Sequence, residues 1–487
     1  MNEPKTPVGA ADPLSQFGYK QELSRSMSTG DLLIYGLIFM LPIAPWAIFG
    51  EVYNLSKGMV PLVYLLGATA MIFTALSYSQ MARAFPLAGG VFSYVGRGIN
   101  PAIGFFAGWL MLLDYLLTPT LLYIMAAESM VGILPGTPRW LWGVLFVVVN
   151  AAINLSGVTS LKRMNRVMLV IELAFVAAFI GIAVAGLMGH TLPQAAWSTA
   201  PLWNPEHVTP ALVASALSIA VLSFLGFDGI ATMAEESTGG ARSPGRAMVY
   251  SLLIIGVLFV AQTWLASLLA GPYAAVPDDR IANFFFEPIR AIAGTGIVNA
   301  FFLCNVVAIG IANSLAAQAA TSRLVYSMAR DRKLPAFLAH VNRRKVPSAA
   351  ILTVAGISTV LVIAAAGEIG MMSAMVNFGA LSAFAVLHLA VMWYYLRKQG
   401  SRRWLSHLLL PVIGFVIIAY VLMNAGVMAQ LTGGIWLVIG IAVFFLQRGG
   451  SGGARVEAEA APAAQALAPT FRRWLPHCLK SCGWISQ

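Results

Sequence analysis

Charged side chains are scarce in this sequence. Asp, Glu, Lys and Arg make up 10% of its 487 residues, and 59% of the residues are hydrophobic, whereas about a quarter of an average soluble domain is charged. This scarcity excludes a soluble enzyme. A helix that crosses the hydrocarbon of a bilayer needs about 20 apolar residues, so the chain has room for twelve such helices together with loops and tails.

Cysteines and nucleotide-binding motifs are also nearly absent. The three cysteines, Cys304, Cys478 and Cys482, have neither metal-ligand spacing nor the spacing of a paired framework, so we expect no disulfide scaffold and no metal site. The sequence contains no GxxxxGKS/T motif and no GxGxxG motif after a strand. It also offers no Ser/His/Asp constellation in a soluble domain. We therefore expect no cofactor and no enzymatic activity.

Long apolar runs are abundant instead. The first 28 residues are polar and lack the apolar core and cleavage site of a signal peptide, so the first apolar run is expected to stay as an anchor. Stretches of spanning length predict an all-α membrane protein with twelve transmembrane helices. These stretches cover residues 30–53, 60–83, 101–131, 140–158, 166–188, 209–234, 247–271, 293–328, 348–367, 370–396, 405–427 and 431–447.

The basic residues predict the orientation of the chain. The sequence has 30 Lys and Arg against 19 Asp and Glu, a net charge of +11. The basic residues lie between the apolar runs, so they indicate membrane topology rather than a nucleic-acid partner. With a cytoplasmic N-terminal segment, 1–28, only Lys57, Arg139, Arg280 and Arg290 fall outside. The positive-inside rule therefore predicts that both termini are cytoplasmic. The Gly/Ala-rich tail, 448–487, is predicted to be a disordered cytoplasmic segment.

Two of the predicted helices are interrupted in mid-span. Pro42 and Pro45 interrupt the first helix, because each proline removes a backbone donor and clashes with the preceding turn. Gly226, Asp228 and Gly229 interrupt the sixth, where an ionisable group at mid-membrane depth indicates function. Either interruption alone is explained by a packing kink.

The two interruptions occupy corresponding positions if the chain contains two inverted repeats of five helices each. The repeats would be helices 1–5 (residues 29–188) and helices 6–10 (residues 209–397), followed by helices 11 and 12 (residues 405–447). Matched interruptions of this kind point to a substrate site at the interface of the repeats. Unwound backbone is tolerated at that depth only where it is packed in protein or lines a cavity.

Several motifs resemble those of the amino acid-polyamine-organocation superfamily, whose fold is leucine-transporter-like. They are GFDGIATMAEES (226–237), AFPLAGGVFSYVGRGINPAIGFFAGW (84–109), LLDY (112–115) and TSRLVYSMARDRKLPAFLAHVN (321–342). Three further pieces are similar to the putrescine importer branch: GLIFMLPIAPWAIFG (36–50), LLDYLL (112–117) and VNFGALSAF (376–384). The resemblance implies a multi-pass protein of the bacterial cytoplasmic (inner) membrane that transports by alternating access.

The break in the first helix differs from that of amino-acid carriers. In those relatives a Gly/Ser-rich stretch receives the substrate carboxylate on free backbone N–H groups, whereas here the stretch is LPIAP, which includes Pro42, Ile43 and Ala44. Two prolines supply no N–H, and no glycine lets the backbone form an anion nest. The remaining carbonyls and the negative end of the first half-helix favour a cation. We therefore expect an amine without a carboxylate as substrate.

Several polar residues within the spans are candidate contacts for such an amine. Asp228, between Phe227 and the second half-helix, is a direct ammonium acceptor or a cap of that half-helix, and Phe227 adds cation–π attraction. Asp114 and Tyr115 contact the substrate or make a bond between helices. The remaining candidates are backbone at Gly226 and amide oxygens that serve an amine or join helices: Asn305, Asn313 and Asn377.

Three glutamates have separate interpretations. Glu172, flanked by apolar residues, is a proton carrier, a second ammonium site or a neutral core residue; several amino-acid carriers of the superfamily have a lysine in this position. The resemblance places Glu235 and Glu236 at an inner gate, paired with Arg242, Arg246 or the basic loop between helices 8 and 9. The alternative for these two glutamates is a solvated pair.

These observations predict a secondary-active importer of putrescine or a related small organic cation, with proton coupling as an additional hypothesis. An amino-acid permease or an exchanger of amino acids and polyamines is the nearest alternative. A membrane sensor that binds ligand without transport belongs to another class. A channel fits less well, because matched broken helices favour alternating access.

Overall fold

The computed structural model describes residues 14–134, 136–206, 208–209, 216–217, 220–278, 280–364, 369–424 and 427–449. All regular secondary structure in these ranges is helical, which confirms the all-α expectation; Met27 and Ser237 form an isolated parallel bridge. Most of the predicted tail and most of the first part of the predicted sixth helix lie outside the described residues. Contacts divide the chain into a main unit, Met1–Gly434, and a second unit, Ile435–Gln487, in which residues 435–449 are helical.

The helices follow the apolar runs closely. They are α1 (Thr29–Met40), α2 (Ala44–Leu55), α3 (Val60–Ala84), α4 (Val91–Gly98), α5 (Pro101–Ile133), α6 (Arg139–Leu155), α7 (Val158–Met188), α8 (Gly229–Thr232), α9 (Ser243–Ala270), α10 (Phe286–Ala293), α11 (Thr295–Val307), α12 (Ser314–Arg330), α13 (Ser348–Ala364), α14 (Ile369–Met392), α15 (Leu410–Met423) and α16 (Val427–Gly449). A π-helical turn, Ala308–Asn313, joins α11 to α12, and others flank α14 and α15 at Trp393–Lys398 and Leu405–Leu409.

Local chemistry explains where several helices begin. Ser28 and Asp31 form a capping box at the start of α1, in which each side chain accepts the other residue's backbone N–H at 3.1 Å. The Asn100 side chain accepts the N–H of Ile103 at 2.9 Å at the start of α5. Such caps satisfy donors that a helix end otherwise leaves unpaired.

Eight of the described helical segments are long and apolar enough to cross a membrane, and α1 with α2 passes the same test as one bent pair. Three shorter apolar segments are Arg139–Leu155, Val221–Thr232 and Ser348–Ala364. Of the eight, α5 is the most deeply buried, packed against α4, α6, α12 and α14. Three details differ from the sequence predictions. Helix α7 begins at Val158 rather than 166, and α4 and α10 form in segments predicted as loops.

The chain bends by 42° between α1 and α2. Leu41 has φ +54°, which ends the right-handed helix, and Pro42 and Pro45 cannot donate backbone hydrogen bonds there. The segment around the sixth predicted helix is also irregular. A 3-10 turn at Val221–Phe224 leads to Gly226 with φ +117°, and only one α-helical turn follows in α8.

Candidate binding site

A cavity with a volume of about 100 Å³ lies between the two irregular segments. Leu41 and Ala44 border it from the α1–α2 bend, Gly226 from the second irregular segment, and Asp114 and Tyr115 from α5. The volume is below the roughly 300–1,000 Å³ typical of pockets for drug-sized ligands. The structure thus brings five sequence-predicted candidates to one small cavity: Ala44, Asp114, Tyr115, Gly226 and Asn313.

Asp228 lies directly behind this lining. Its carboxylate accepts a hydrogen bond of 2.7 Å from the Tyr115 hydroxyl and one of 3.2 Å from the Gly226 N–H, and the residue is 1% exposed. The carboxylate therefore ties α5 to the backbone of the second irregular segment. The backbone contact is to Gly226, which precedes α8, and the Asp228 side chain makes no cap hydrogen bond to α8. The Asp228 carboxylate lies one hydrogen bond away from Tyr115, a side chain that lines the cavity.

Asp114 makes the lining of the cavity acidic. It is 3% exposed, and the hydroxyl of Thr118, one turn along α5, donates to it at 2.7 Å. Among the described residues that line the cavity, Asp114 is the ionisable acid and none is Lys, Arg or His. A buried acid without a basic partner in the same lining favours a bound cation.

Two backbone donors at the α1–α2 bend are used locally. The Ala44 N–H donates to the Leu41 carbonyl at 2.8 Å, and the Trp46 N–H donates to Ile43 at 3.0 Å. Gln262 of α9 clamps the bend: its amide N–H₂ donates to the Pro42 carbonyl at 3.1 Å, and its oxygen accepts the Trp46 indole N–H at 2.7 Å. These donors are not available to a carboxylate, and the Pro42 carbonyl already has a partner.

The other predicted candidates lie outside the cavity lining. Pro42 and Ile43 are buried in the bend, and Phe227 packs with its ring 5.8 Å from those of Tyr78 and Phe384. Asn305 and Asn377 have side-chain oxygens without a hydrogen-bond partner among the described residues. Glu172 is 1% exposed on α7, and neither of its carboxylate oxygens has a described partner.

Glu235 and Glu236 are buried and paired, so the solvated alternative is wrong. Arg330 donates two hydrogen bonds, of 2.7 and 3.0 Å, to the Glu235 carboxylate, and the buried Arg323 pairs with Glu236. Both arginines belong to α12; the structure places neither Arg242 nor Arg246 in these pairs. No spacing in the sequence identifies partners that lie 87 and 95 residues away.

Residues 14–27, which we term the N-terminal strap, lie across these ion pairs. The Tyr19 hydroxyl donates to Asp331 at 2.6 Å, the Arg330 guanidinium lies 4.0 Å from the centre of the Tyr19 ring, and the Tyr326 hydroxyl donates to Glu22 at 2.6 Å. Burial and the nearby Asp331 carboxylate raise the pKa of Tyr19 above its ordinary value, so the phenol stays a neutral donor.

The strap also contacts the segment after α8. The Gln21 side chain donates a hydrogen bond to the Glu235 carbonyl, and the Arg25 side chain donates one to the Ser237 carbonyl. Sequence reasoning missed this strap.

We expect Gly226→Ala to reduce both stability and ligand binding. A non-glycine residue at positive φ costs about 1–2 kcal/mol, and a Cβ at Gly226 would also lie 2.8 Å from the Phe39 ring and carbonyl. Gly240→Ala is the matched control, since Gly240 has φ +76° but no atom within 4 Å of the added Cβ. Thermal unfolding of the two variants should show the larger loss at Gly226; equal losses would contradict the close packing of the two irregular segments.

Comparison with known proteins identifies relatives over nearly the whole chain. The Amino acid permease family matches residues 27–449. The low-affinity putrescine importer PlaP of Escherichia coli is 30% identical over 427 residues, which cover 86% of this chain and 93% of the relative. The branched-chain amino acid permease BcaP of Lactococcus lactis is 26% identical, over 86% and 93%. A methylthioribose transporter of Bacillus subtilis is 24% identical, over 89% and 96%.

Proposed function

Because the chain belongs to the amino acid permease family of the amino acid-polyamine-organocation superfamily, we propose that this multi-pass inner-membrane protein is a secondary-active importer of putrescine or a related small polyamine. The family is one of transporters of amino acids and polyamines, and the 30% identical putrescine importer lies within it. The finer substrate assignment rests on the cavity.

One observation carries the assignment. Asp114 lines the small cavity without a basic side chain, and Asp228 lies behind Tyr115. An α-amino acid has a carboxylate that needs donors, but the N–H groups of Ala44 and Trp46 at the bend are engaged. A diamine brings only ammonium donors, which two carboxylates can accept. The bend and the acidic cavity therefore support a cationic substrate.

We propose the following membrane arrangement. Eight long spans, the bent α1–α2 pair and the three shorter apolar segments supply twelve transmembrane segments, with inverted repeats at 29–188 and 209–397 and a final pair at 405–447. Both termini are cytoplasmic, as the distribution of Lys and Arg favours. Rocking of one helix bundle against the rest exposes the cavity to each side in turn.

In this orientation the strap and the pairs of Glu235 and Glu236 form the inner gate. They tie the segment after α8 to α12, so the cavity opens to the cytoplasm only after these bonds break. The backbone N–H of Ala88, in the loop before α4, adds a bond of 3.0 Å to Glu235. Three separate parts of the chain thus meet at one carboxylate.

Glu172 is proposed as a proton carrier or a second amine site. Its two oxygens lack described partners while the residue is buried, and an unpartnered buried carboxyl is stable only when it is neutral or binds a cation. Proton coupling is not required for accumulation, because a dication moving inward gains about 2.3 kcal/mol per charge per 100 mV of membrane potential.

Uptake of radiolabelled putrescine into proteoliposomes with an inward-negative potential tests the proposal. We expect accumulation that other diamines inhibit and that leucine and arginine do not. A pH gradient should stimulate the wild type more than Glu172→Gln if Glu172 carries the proton, and Glu51→Gln, which removes an exposed acid of α2, is the matched control. Inhibition by amino acids alone would assign the chain to the amino-acid carriers, and saturable binding without accumulation would indicate a sensor.

A further inference from the structure

One of the three predicted amide candidates, Asn313, lines the cavity. Asn313, the last residue of the π-helical turn Ala308–Asn313, lines the cavity and is 7% exposed. Its side-chain oxygen has no hydrogen-bond partner among the described residues. A buried amide oxygen without a donor is costly, and such a group in a native protein calls for a ligand or another explanation. π-Helical turns are also frequent at functional sites.

The chemistry of a primary ammonium group fits this oxygen. The group has three N–H donors and no acceptor. Asp114 accepts one hydrogen bond from Thr118 and Asp228 accepts two, from Tyr115 and Gly226, so both carboxylates keep free lone pairs. An ammonium that binds Asp114 still has N–H donors left over, and the Asn313 oxygen supplies them with a neutral acceptor in the same lining without adding charge.

The π-helical turn itself is held from outside the cavity. Asn150 of α6 is fully buried, and its amide nitrogen donates to the Gly310 carbonyl at 3.0 Å and to the Ser314 hydroxyl at 2.8 Å. The Ser314 hydroxyl in turn donates to the Gly310 carbonyl at 2.7 Å. Because Gly310 has no Cβ, Phe146 and Ala126 approach the turn closely. These bonds fix the turn that ends at Asn313.

We infer that Asn313 is a direct acceptor for a primary ammonium group of the substrate and that Asn150 is a positioning residue that sets its place through the π-helical turn. The inference rests on the proposed amine transport and adds to it a distinction between amines. A site with this acceptor prefers primary amines to N-methylated ones, because each methyl group removes an N–H donor.

Asn154 provides a matched control on the same helix. It lies one turn after Asn150, is likewise buried, and donates to the Leu315 carbonyl at 3.3 Å and to the Gln318 side chain at 2.8 Å. Asn150→Ala and Asn154→Ala thus both remove hydrogen bonds that a side-chain amide of α6 donates to α12. Only Asn150→Ala also removes a hydrogen bond to the π-helical turn that carries Asn313.

The test is competition with radiolabelled putrescine on purified full-length protein, with putrescine and N,N,N′,N′-tetramethylputrescine as the competing ligands. We expect Asn313→Ala to weaken putrescine binding by about 10- to 100-fold, the range for a lost bond to a charged group, with little change for the tetramethyl compound. Asn150→Ala should weaken putrescine binding by about 3- to 10-fold. Asn154→Ala should leave the ratio of the two affinities unchanged, although its thermal stability falls as well.

The outcomes separate the inference from the proposed function. If the wild type binds putrescine and Asn313→Ala has the same ratio of putrescine to tetramethylputrescine affinity as the wild type, only the role of Asn313 is overturned. Absence of saturable amine binding to wild type overturns both. If Asn313→Ala does not fold, Asn313→Asp keeps the size and the acceptor, and it should bind putrescine at least as tightly as wild type; weaker binding would contradict the inference. Equal loss of selectivity in Asn150→Ala and Asn154→Ala would remove the positioning role of Asn150.

Discussion

Asp228→Asn is expected to lower the kcat/KM of putrescine uptake by about 100-fold or more, since loss of one partner from a buried charged contact costs about 3–5 kcal/mol. The substitution keeps the size of the side chain and removes its charge. The Tyr115 hydroxyl donates to one Asp228 oxygen at 2.7 Å and the Gly226 N–H donates to the other at 3.2 Å, and an amide keeps only one of these two acceptors. The loss therefore reports the charge together with one hydrogen bond, and Tyr115→Phe measures the loss of a hydrogen bond separately.

Two further variants make this result specific. Tyr115→Phe removes the hydroxyl alone and should have a smaller effect than Asp228→Asn. Glu128→Gln removes an acid from α5 that pairs with Arg139 at 2.7 Å and is partly exposed, so it should leave uptake close to wild type. If Asp228→Asn retains normal uptake, Asp228 only joins Tyr115 to the irregular segment, and the charge of the substrate is recognised by other residues.

Arg323→Met is expected to destabilise the protein by about 3–5 kcal/mol, because it leaves the Glu236 carboxylate buried without its partner. Arg323 and Glu236 are 2% and 0% exposed at their side chains. The double variant Arg323→Met with Glu236→Gln should recover most of the lost stability, since it removes both buried charges. Thermal unfolding in detergent measures the difference.

An exposed pair of similar composition is the control for this prediction. Arg139 and Glu128 have side chains 44% and 32% exposed, and a surface pair contributes about 0–1 kcal/mol. Arg139→Met should therefore change the unfolding midpoint only slightly. A double variant as unstable as Arg323→Met would mean that Arg323 contributes through packing rather than through its charge.

The sequence predicted the positions of the helices better than the side-chain pairs that join them. Apolar runs located the long helices, because polar backbone exposed to lipid must be hydrogen-bonded within the helix. Pro42 and Pro45 located the bend, because a proline has no backbone N–H to donate. The family resemblance, which the comparisons confirm, rested on local motifs. Pairing depends instead on tertiary packing, so Arg323 and Arg330 were not distinguishable from Arg242 and Arg246 by spacing.

The candidate site shows the same division. Asp114 was identifiable because ionisable groups are rare in apolar runs. Tyr115 is its neighbour in the sequence, and Gly226 belongs to the interruption around Asp228. The bond from Tyr115 to Asp228 joins residues 113 apart in the sequence, and no periodicity encodes it. Asn313 stood beside Asn305 as an equivalent amide in the sequence; the π-helical turn, fixed by Asn150, places the first at the cavity and leaves the second outside its lining.

The N-terminal strap is continuous with α1, since Ser28 caps the helix that begins at Thr29. The return of Tyr19 and Glu22 to Arg330 and Tyr326 of α12 is therefore a unimolecular event. A tethered segment meets its site at an effective concentration in the millimolar range for short linkers, so bonds that are individually weak suffice to hold it. The contacts between the N-terminal strap and α12 therefore re-form rapidly each time the strap is released. Their combined strength depends on the covalent connection to α1 as much as on the contacts themselves.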